Sequence, residues 1–218
     1  MTRTKSMYLA LLAVLLSPMA ALADPIIEPV SVSVTFPLFP GFLLNSGNDQ
    51  SGLSAGYTSG VTDFDTYIAL NPTHDNGGNT TFASESGVFS GALDFDLGGT
   101  FILQSLALWN RGFADQGIAT FDLYFSDDAG FVSSSLIGSF GATAILGDPN
   151  ATLAEVFGFA PTMASFVRID VTSVYGGCCI SFGEVAFEGI VASVPEPGTL
   201  ALLGIGLFGM GLARRRKV

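Results

Sequence analysis

From Phe89 to Ile190 the chain is a succession of short β-rich segments, each closed by a cluster of turn residues, and this rhythm constrains the fold more than any other feature. "FSGALDFDLGG", "TFILQSLALWN", "GIATFDLYFSDDAG", "SSLIGSFGATAIL", "TLAEVFGFA", "SFVRIDVTSVYGG" and "ISFGEVAFEGI" follow one another about every 10 to 15 positions. No stretch of comparable length reads as a long amphipathic helix. The spacing predicts an all-β body, a β-sandwich or jelly roll. In "FVRIDVT", Val167, Ile169 and Val171 share one face and Arg168, Asp170 and Thr172 the other, the pattern of a half-buried strand. "VSVSVTF" (30–36) alternates in the same way and stops at Pro37. In the final segment the apolar parity changes between Phe182 and Val185, which predicts a glycine bulge at Gly183-Glu184. "FDTYIAL" (64–70) reads as a further short strand, with Gly/Ser/Asn-rich loops before and after it.

The two ends obey different rules. Arg3 and Lys5 precede an apolar run, Tyr8 to Leu16, and Ala21-Leu22-Ala23 supplies a small-residue cleavage site before Asp24, so residues 1–23 are expected to be a signal peptide. At the other end Val194-Pro195-Glu196-Pro197 leads into an uncharged Gly-rich segment and then Arg214, Arg215, Arg216 and Lys217. As a helix that segment is of marginal spanning length, because a bilayer core is about 30 Å thick and each residue rises about 1.5 Å. Four consecutive cations are what the cytoplasmic side of such a span carries. The expected layout is a signal peptide at 1–23, N-terminal strands and loop at 24–69, the sandwich at 70–193 and a terminal signal at 194–218. That signal divides into a motif at 194–197, a transmembrane helix at 198–213 and a basic tail at 214–217.

Setting both ends aside exposes the charge of the body. Of eight Lys and Arg, only Arg111 and Arg168 remain between residues 24 and 193; of 19 acids, only Glu196 is lost. Eighteen acids against two bases leave 16 net negative charges. A nucleic-acid partner is excluded, because phosphate binding needs clustered cations, whereas cations, neutral sugars and positive surfaces stay open. The adjacent Cys178-Cys179 cannot clamp distant strands; a vicinal disulfide, two thiols and intermolecular pairing are the alternatives.

Catalytic constellations are weak. "GLSAG" (52–56), with Asp63 and the lone His74, has the Ser, Asp, His order of a hydrolase triad. It nevertheless lies in a Gly/Ser loop without the strand and helix the motif needs, so His74 reads as a loop histidine. Asp63/Asp65 and Asp94/Asp96 stand at period two and read as solvated strand faces, and Asp127-Asp128-Ala129-Gly130 reads as a turn. No catalytic residue is assigned, and the chain is expected not to be an enzyme. Trp109, Asn110 and Arg111, at a strand end, are the best candidates for ligand binding, an aromatic platform beside hydrogen-bonding groups suited to sugars.

Two resemblances follow from these motifs. Val194-Pro195-Glu196-Pro197, the apolar segment and the Arg cluster together resemble the PEP-CTERM sorting signal of Gram-negative bacteria, a tail sometimes labelled an ice-binding-protein C-terminal domain. That resemblance implies recognition by a membrane-embedded exosortase, transient anchoring in the inner membrane, and release or attachment at the cell surface. It further implies a link to exopolysaccharide and the biofilm matrix. Within the body, Asp75, Thr80 and Phe82 in "DNGGNTTFAS", together with Gly183-Glu184-Val185 near the end, resemble the opening and closing motifs of the discoidin-type, galactose-binding-like jelly roll. This second resemblance implies a structural calcium held by the side chains of Asp75, Thr80 and Glu184 and by carbonyls of the Gly77-Gly78-Asn79 turn. It also implies the alternative function of a carbohydrate-binding module with a defined glycan ligand.

Overall fold

The computed structural model describes residues 24–75, 77–111, 116–145, 148 and 150–192. The signal peptide, the sorting motif, the transmembrane helix and the basic tail expected from the sequence lie outside the described residues. Among those described, no helix is long and apolar enough to cross a membrane.

The strands are β1 (Ile26–Ile27), β2 (Ser31–Val34), β3 (Thr73–His74), β4 (Phe82–Ala83), β5 (Gly91–Asn110), β6 (Ile118–Ser126), β7 (Ser134–Gly141), β8 (Thr152–Leu153), β9 (Glu155–Val174) and β10 (Ser181–Val191). They run in the order β1-β10-β5-β9-β6-β7, with β2 added to β5 and β4 to β10; β3 and β8 form a separate pair. All pairings are antiparallel. β5 and β9 are each 20 residues long and pair along most of their length. Their register slips between Asp96 and Phe101, at Gly98, whose φ of 71° suits a residue without a side chain. The two strands pair on both sides of this slip, Gly91–Asp96 with Phe166–Val171 and Phe101–Leu108 with Glu155–Ala164. Where the sequence reads "FSGALDFDLGG" and "TFILQSLALWN" as two segments, the hydrogen bonding runs through both.

Two cores result. The larger one is rich in phenylalanine, with Phe95, Phe121, Phe125, Phe182 and Phe187 packed against Leu93, Leu103, Leu123, Val167 and Ile169. The smaller lies on the opposite face of β5 and β10, where Ala107, Trp109 and Ala186 meet Ile26, Tyr57, Phe64 and Tyr67. Within residues 24–69, β1 pairs with β10 and β2 with β5. Because β10 is covered on both faces, every residue from Ser181 to Gly189 is buried.

One local expectation is corrected. Phe64–Ala69 is not a strand but a helix, α1, whose N-cap Asp63 accepts the Thr66 N–H at 2.8 Å. Capping of the first turn and burial of Phe64 and Tyr67 on one side outweigh the β-preference of Thr, Tyr and Ile. Asp63 and Asp65 accordingly share no strand face. The slip expected near Gly183 is present: Phe182 faces Asn110 and Glu184 faces Trp109, so Gly183 is the extra residue. A Cβ there would collide with the His74 ring.

Candidate functional site

The hydrolase-like constellation is not assembled. Ser54 Oγ accepts the Thr73 N–H at 2.9 Å, and Asp63 caps α1. His74 pairs through Nε2 with the Ser51 carbonyl at 2.8 Å. Contrary to the loop reading, His74 is fully buried, and burial lowers its pKa below the ordinary histidine value.

The calcium positions divide. Asp75 Oδ1 accepts the Thr80 hydroxyl at 2.5 Å and the Gly77 N–H at 3.3 Å, and the same hydroxyl lies 3.1 Å from the Gly77 carbonyl, so the loop half converges. Glu184 has hydrogen-bond partners elsewhere. Its side chain is fully buried; Oε2 accepts the Gln50 N–H at 2.7 Å and Oε1 the Val185 N–H at 3.3 Å. Burial pushes this carboxyl well above the usual range, and the acids acting on it are Asp49 and Glu28. Each oxygen accepts one N–H and keeps a further lone pair. Asp75 and Thr80 thus bond to each other while Glu184 bonds to Gln50 and Val185; among the described residues no group of three or more acidic, histidine or cysteine side chains is placed to hold a metal ion, and the expected set contains two acids.

The Trp109-Asn110-Arg111 cluster is also redistributed. Trp109 is fully buried, with Nε1 donating to the Pro72 carbonyl at 2.9 Å and Tyr67 edge-on at 6.5 Å. Asn110, likewise buried, ties the strand end together: Nδ2 donates to the Ile118 carbonyl at 2.7 Å, while Oδ1 accepts from Arg111 N and Ile118 N. Neither side chain presents a platform, because both are engaged in holding β5 against its neighbours. Arg111 alone reaches a cavity. Its Nη1 donates to Ser181 Oγ at 3.2 Å and its guanidinium carbon stands 5.7 Å from the Phe42 ring centre. Phe39, Phe42, Ala83 and the disulfide between Cys178 and Cys179 complete a pocket of about 210 Å³.

A second concavity lies on a sheet face. Asp128 organises the loop after β6, its carboxylate accepting N–H groups of Gly130, Val132 and Ser133. Phe131 at the loop's end has a φ of 51°, unusual for a residue with a side chain, and its ring lies 4.3 Å from the Arg168 guanidinium carbon. Arg168 is fixed in turn by a two-point pairing with Asp94, at 2.6 and 2.8 Å. Asp94 is thus part of an ion pair rather than simply solvated.

With this geometry in view, comparison with known proteins gives three findings. Residues 193–217 match the PEP-CTERM protein-sorting motif. No curated protein matches the chain. Chitosan-binding module 1 from a chitosanase/glucanase of Paenibacillus sp. IK-5 has a similar structure, with a TM-score of 0.51 and 14% identity over 75% of this chain and 97% of the module. A family 32 carbohydrate-binding module from C. perfringens NanJ aligns at a TM-score of 0.47 and 15% identity, over 75% of this chain and 98% of that module. The body therefore has the β-sandwich fold found in carbohydrate-binding modules, and the chain carries a PEP-CTERM tail.

Proposed function

We propose that this chain is an exported, non-enzymatic β-sandwich protein that an exosortase-type system recognises by its tail. It is held briefly in the inner membrane and then delivered to the cell surface or the extracellular matrix, where it works alongside exopolysaccharide. The observation that carries this reading is the sorting-motif match at residues 193–217, joined to a folded body whose Ser54, Asp63 and His74 have separate structural partners. The test is deletion of Val194 to Val218 in the native host. The truncated body is expected to fold but to be mislocalised, with a matrix defect equal to that of the complete deletion. Normal delivery of the truncated protein would refute the role of the tail.

A second reading is favoured by the loop-end pocket. An apolar wall of Phe39, Phe42 and the disulfide beside the Arg111 guanidinium is the combination that orients a sugar ring. The similar Paenibacillus module binds chitosan, and a body with 16 net negative charges has the sign that attracts an amine-bearing polysaccharide. On this reading the matrix ligand is a cationic glycan drawn by the acidic body as a whole, and what lies in the pocket is an uncharged ring of it, with a hydroxyl oxygen accepting from Arg111 rather than an ammonium beside it. Arg111→Ala should weaken its binding without unfolding the sandwich.

A further inference from the structure

Strand pairing builds an outer face whose composition is unlike the rest of the surface. In one row across the sheet Ser31 faces Asp96, Asp96 faces Phe166 and Phe166 faces Ser126; in the next, Ser33 faces Asp94, Asp94 faces Arg168 and Arg168 faces Tyr124. Directly opposed residues of an antiparallel pair project from the same face. The face is therefore a lattice of aromatic, hydroxyl and carboxylate groups, with rows about 7 Å apart from the rise of two strand residues. The loop ending at Phe131 folds over its edge and encloses a groove of about 140 Å³ lined by Ser31, Ser33, Asp94, Asp96, Phe131 and Phe166.

Three features set this groove apart from the rest of the surface. First, its aromatic wall is held in place: Phe131 keeps a left-handed backbone because Asp128 gathers the N–H groups around it, and its ring is covered by an arginine that Asp94 grips at two points. Strained residues persist where their surroundings over-determine them, and such positions concentrate at ligand clamps. Second, the charges are unequal. Asp94 is neutralised by Arg168, whereas Asp96 has one oxygen bonded to the Gly98 N–H at 2.8 Å and a second with no hydrogen-bond partner among the described residues. One uncompensated carboxylate thus stands beside hydroxyls and two phenyl rings. Third, the groove lies on the sheet face, away from the loop-end pocket at Arg111, and shares no lining residue with it.

We infer that this groove is a second saccharide subsite, and that it takes an amino sugar bearing a protonated amine, with the ammonium at Asp96 and the apolar ring face against the half-buried Phe166, beside the edge of Phe131 that lines the groove. The inference rests on the cationic-glycan reading above and adds a site to it. A uronate is disfavoured here by the open Asp96 carboxylate. With one subsite on the sheet and another at the loop end, a single body can hold two chains, or two points on one chain, and so act as a cross-link in a polysaccharide matrix.

The test is calorimetric titration of the full chain, purified in mild detergent, with a glucosamine tetramer and with its fully N-acetylated counterpart. The amine form is expected to bind about tenfold more tightly, with an advantage that shrinks as salt is raised or as the amine is deprotonated. Asp96→Asn should lose about tenfold, the equivalent of one charge-assisted hydrogen bond. Phe131→Gly removes the ring while suiting the positive φ, and should also weaken binding; thermal unfolding of both variants checks that the fold persists. An amine preference that persists with unchanged affinity in both variants would overturn the groove and leave the cationic-glycan reading standing; equal binding of the two tetramers would overturn that reading as well. Failure of the native sequence to bind either tetramer would overturn the cationic-glycan reading together with the groove.

Discussion

Replacing Trp109 by phenylalanine separates two roles that an aromatic residue at a strand end can play. If Trp109 were a sugar platform, the substitution would cost affinity and leave stability nearly untouched. In the structure it lies in the smaller core between β5, β10 and α1, with no exposed surface, its Nε1 donating to Pro72 and its ring edge-on to Tyr67. Phenylalanine leaves a void, and core truncations of this size cost about 1–2 kcal/mol. It also orphans the Pro72 carbonyl, which adds about 1–2 kcal/mol if no water reaches it. The expected loss is therefore about 2–4 kcal/mol, or about 5–12 °C in Tm for a body of this length.

The assay is thermal and denaturant unfolding of the full chain followed by circular dichroism. Because Trp109 is the only tryptophan, the native protein provides a matching control: its emission should be blue-shifted and resistant to iodide, then move to the red in a single transition on unfolding. Glycan affinity of Trp109→Phe, measured below its unfolding temperature, should equal that of the native protein. A stability loss under about 0.5 kcal/mol, the range of ordinary surface substitutions, would refute the buried assignment. So would quenching of the native emission by a bound oligosaccharide.

Two further outcomes test the neighbouring carboxyl. Burial raises the folded pKa of Glu184 above its unfolded value, so between those two values the native state holds the extra proton and stability falls as pH rises. Glu184→Gln should remove that slope, matching the native Tm near pH 4 and exceeding it at pH 8, by about 1.4 kcal/mol for each pH unit separating the two titrations; a lower Tm for the variant at pH 8 would contradict this account. Millimolar Ca²⁺ should leave the Tm within error of that in chelator, because the Glu184 oxygens already accept N–H groups from Gln50 and Val185. A calcium-dependent rise abolished by Asp75→Ala would instead mean that the loop rearranges around an ion.

What the sequence made visible, and what it hid, follows from how many faces of an element are buried. Val32 and Val34, and Val167, Ile169 and Val171, lie on strands with one face in the larger core, so alternation reveals them directly. β10 has no polar face to alternate with. Phe182, Val185 and Phe187 enter the larger core while Ala186 enters the smaller, and Glu184 is enclosed with them; only the parity slip at Gly183 was legible. The layer responsible for this double burial, Ile26, Phe64 and Tyr67, comes from a segment whose helix is six residues long and signalled by a single cap. The same logic governs the sites. Trp109-Asn110-Arg111 is contiguous and therefore conspicuous, yet a strand alternates, and one continuing into buried structure turns its neighbours inward; only the last of the three reaches a pocket, in company with Phe39, Phe42, Cys178 and Cys179 from distant parts of the chain. The sheet-face groove left a clearer trace, because Asp94 and Asp96 do sit at period two on one face. Their meaning depends on partners supplied by other strands, Arg168 neutralising the first and Phe166 standing beside the second, so that two carboxylates alike in sequence become one structural ion pair and one open charge.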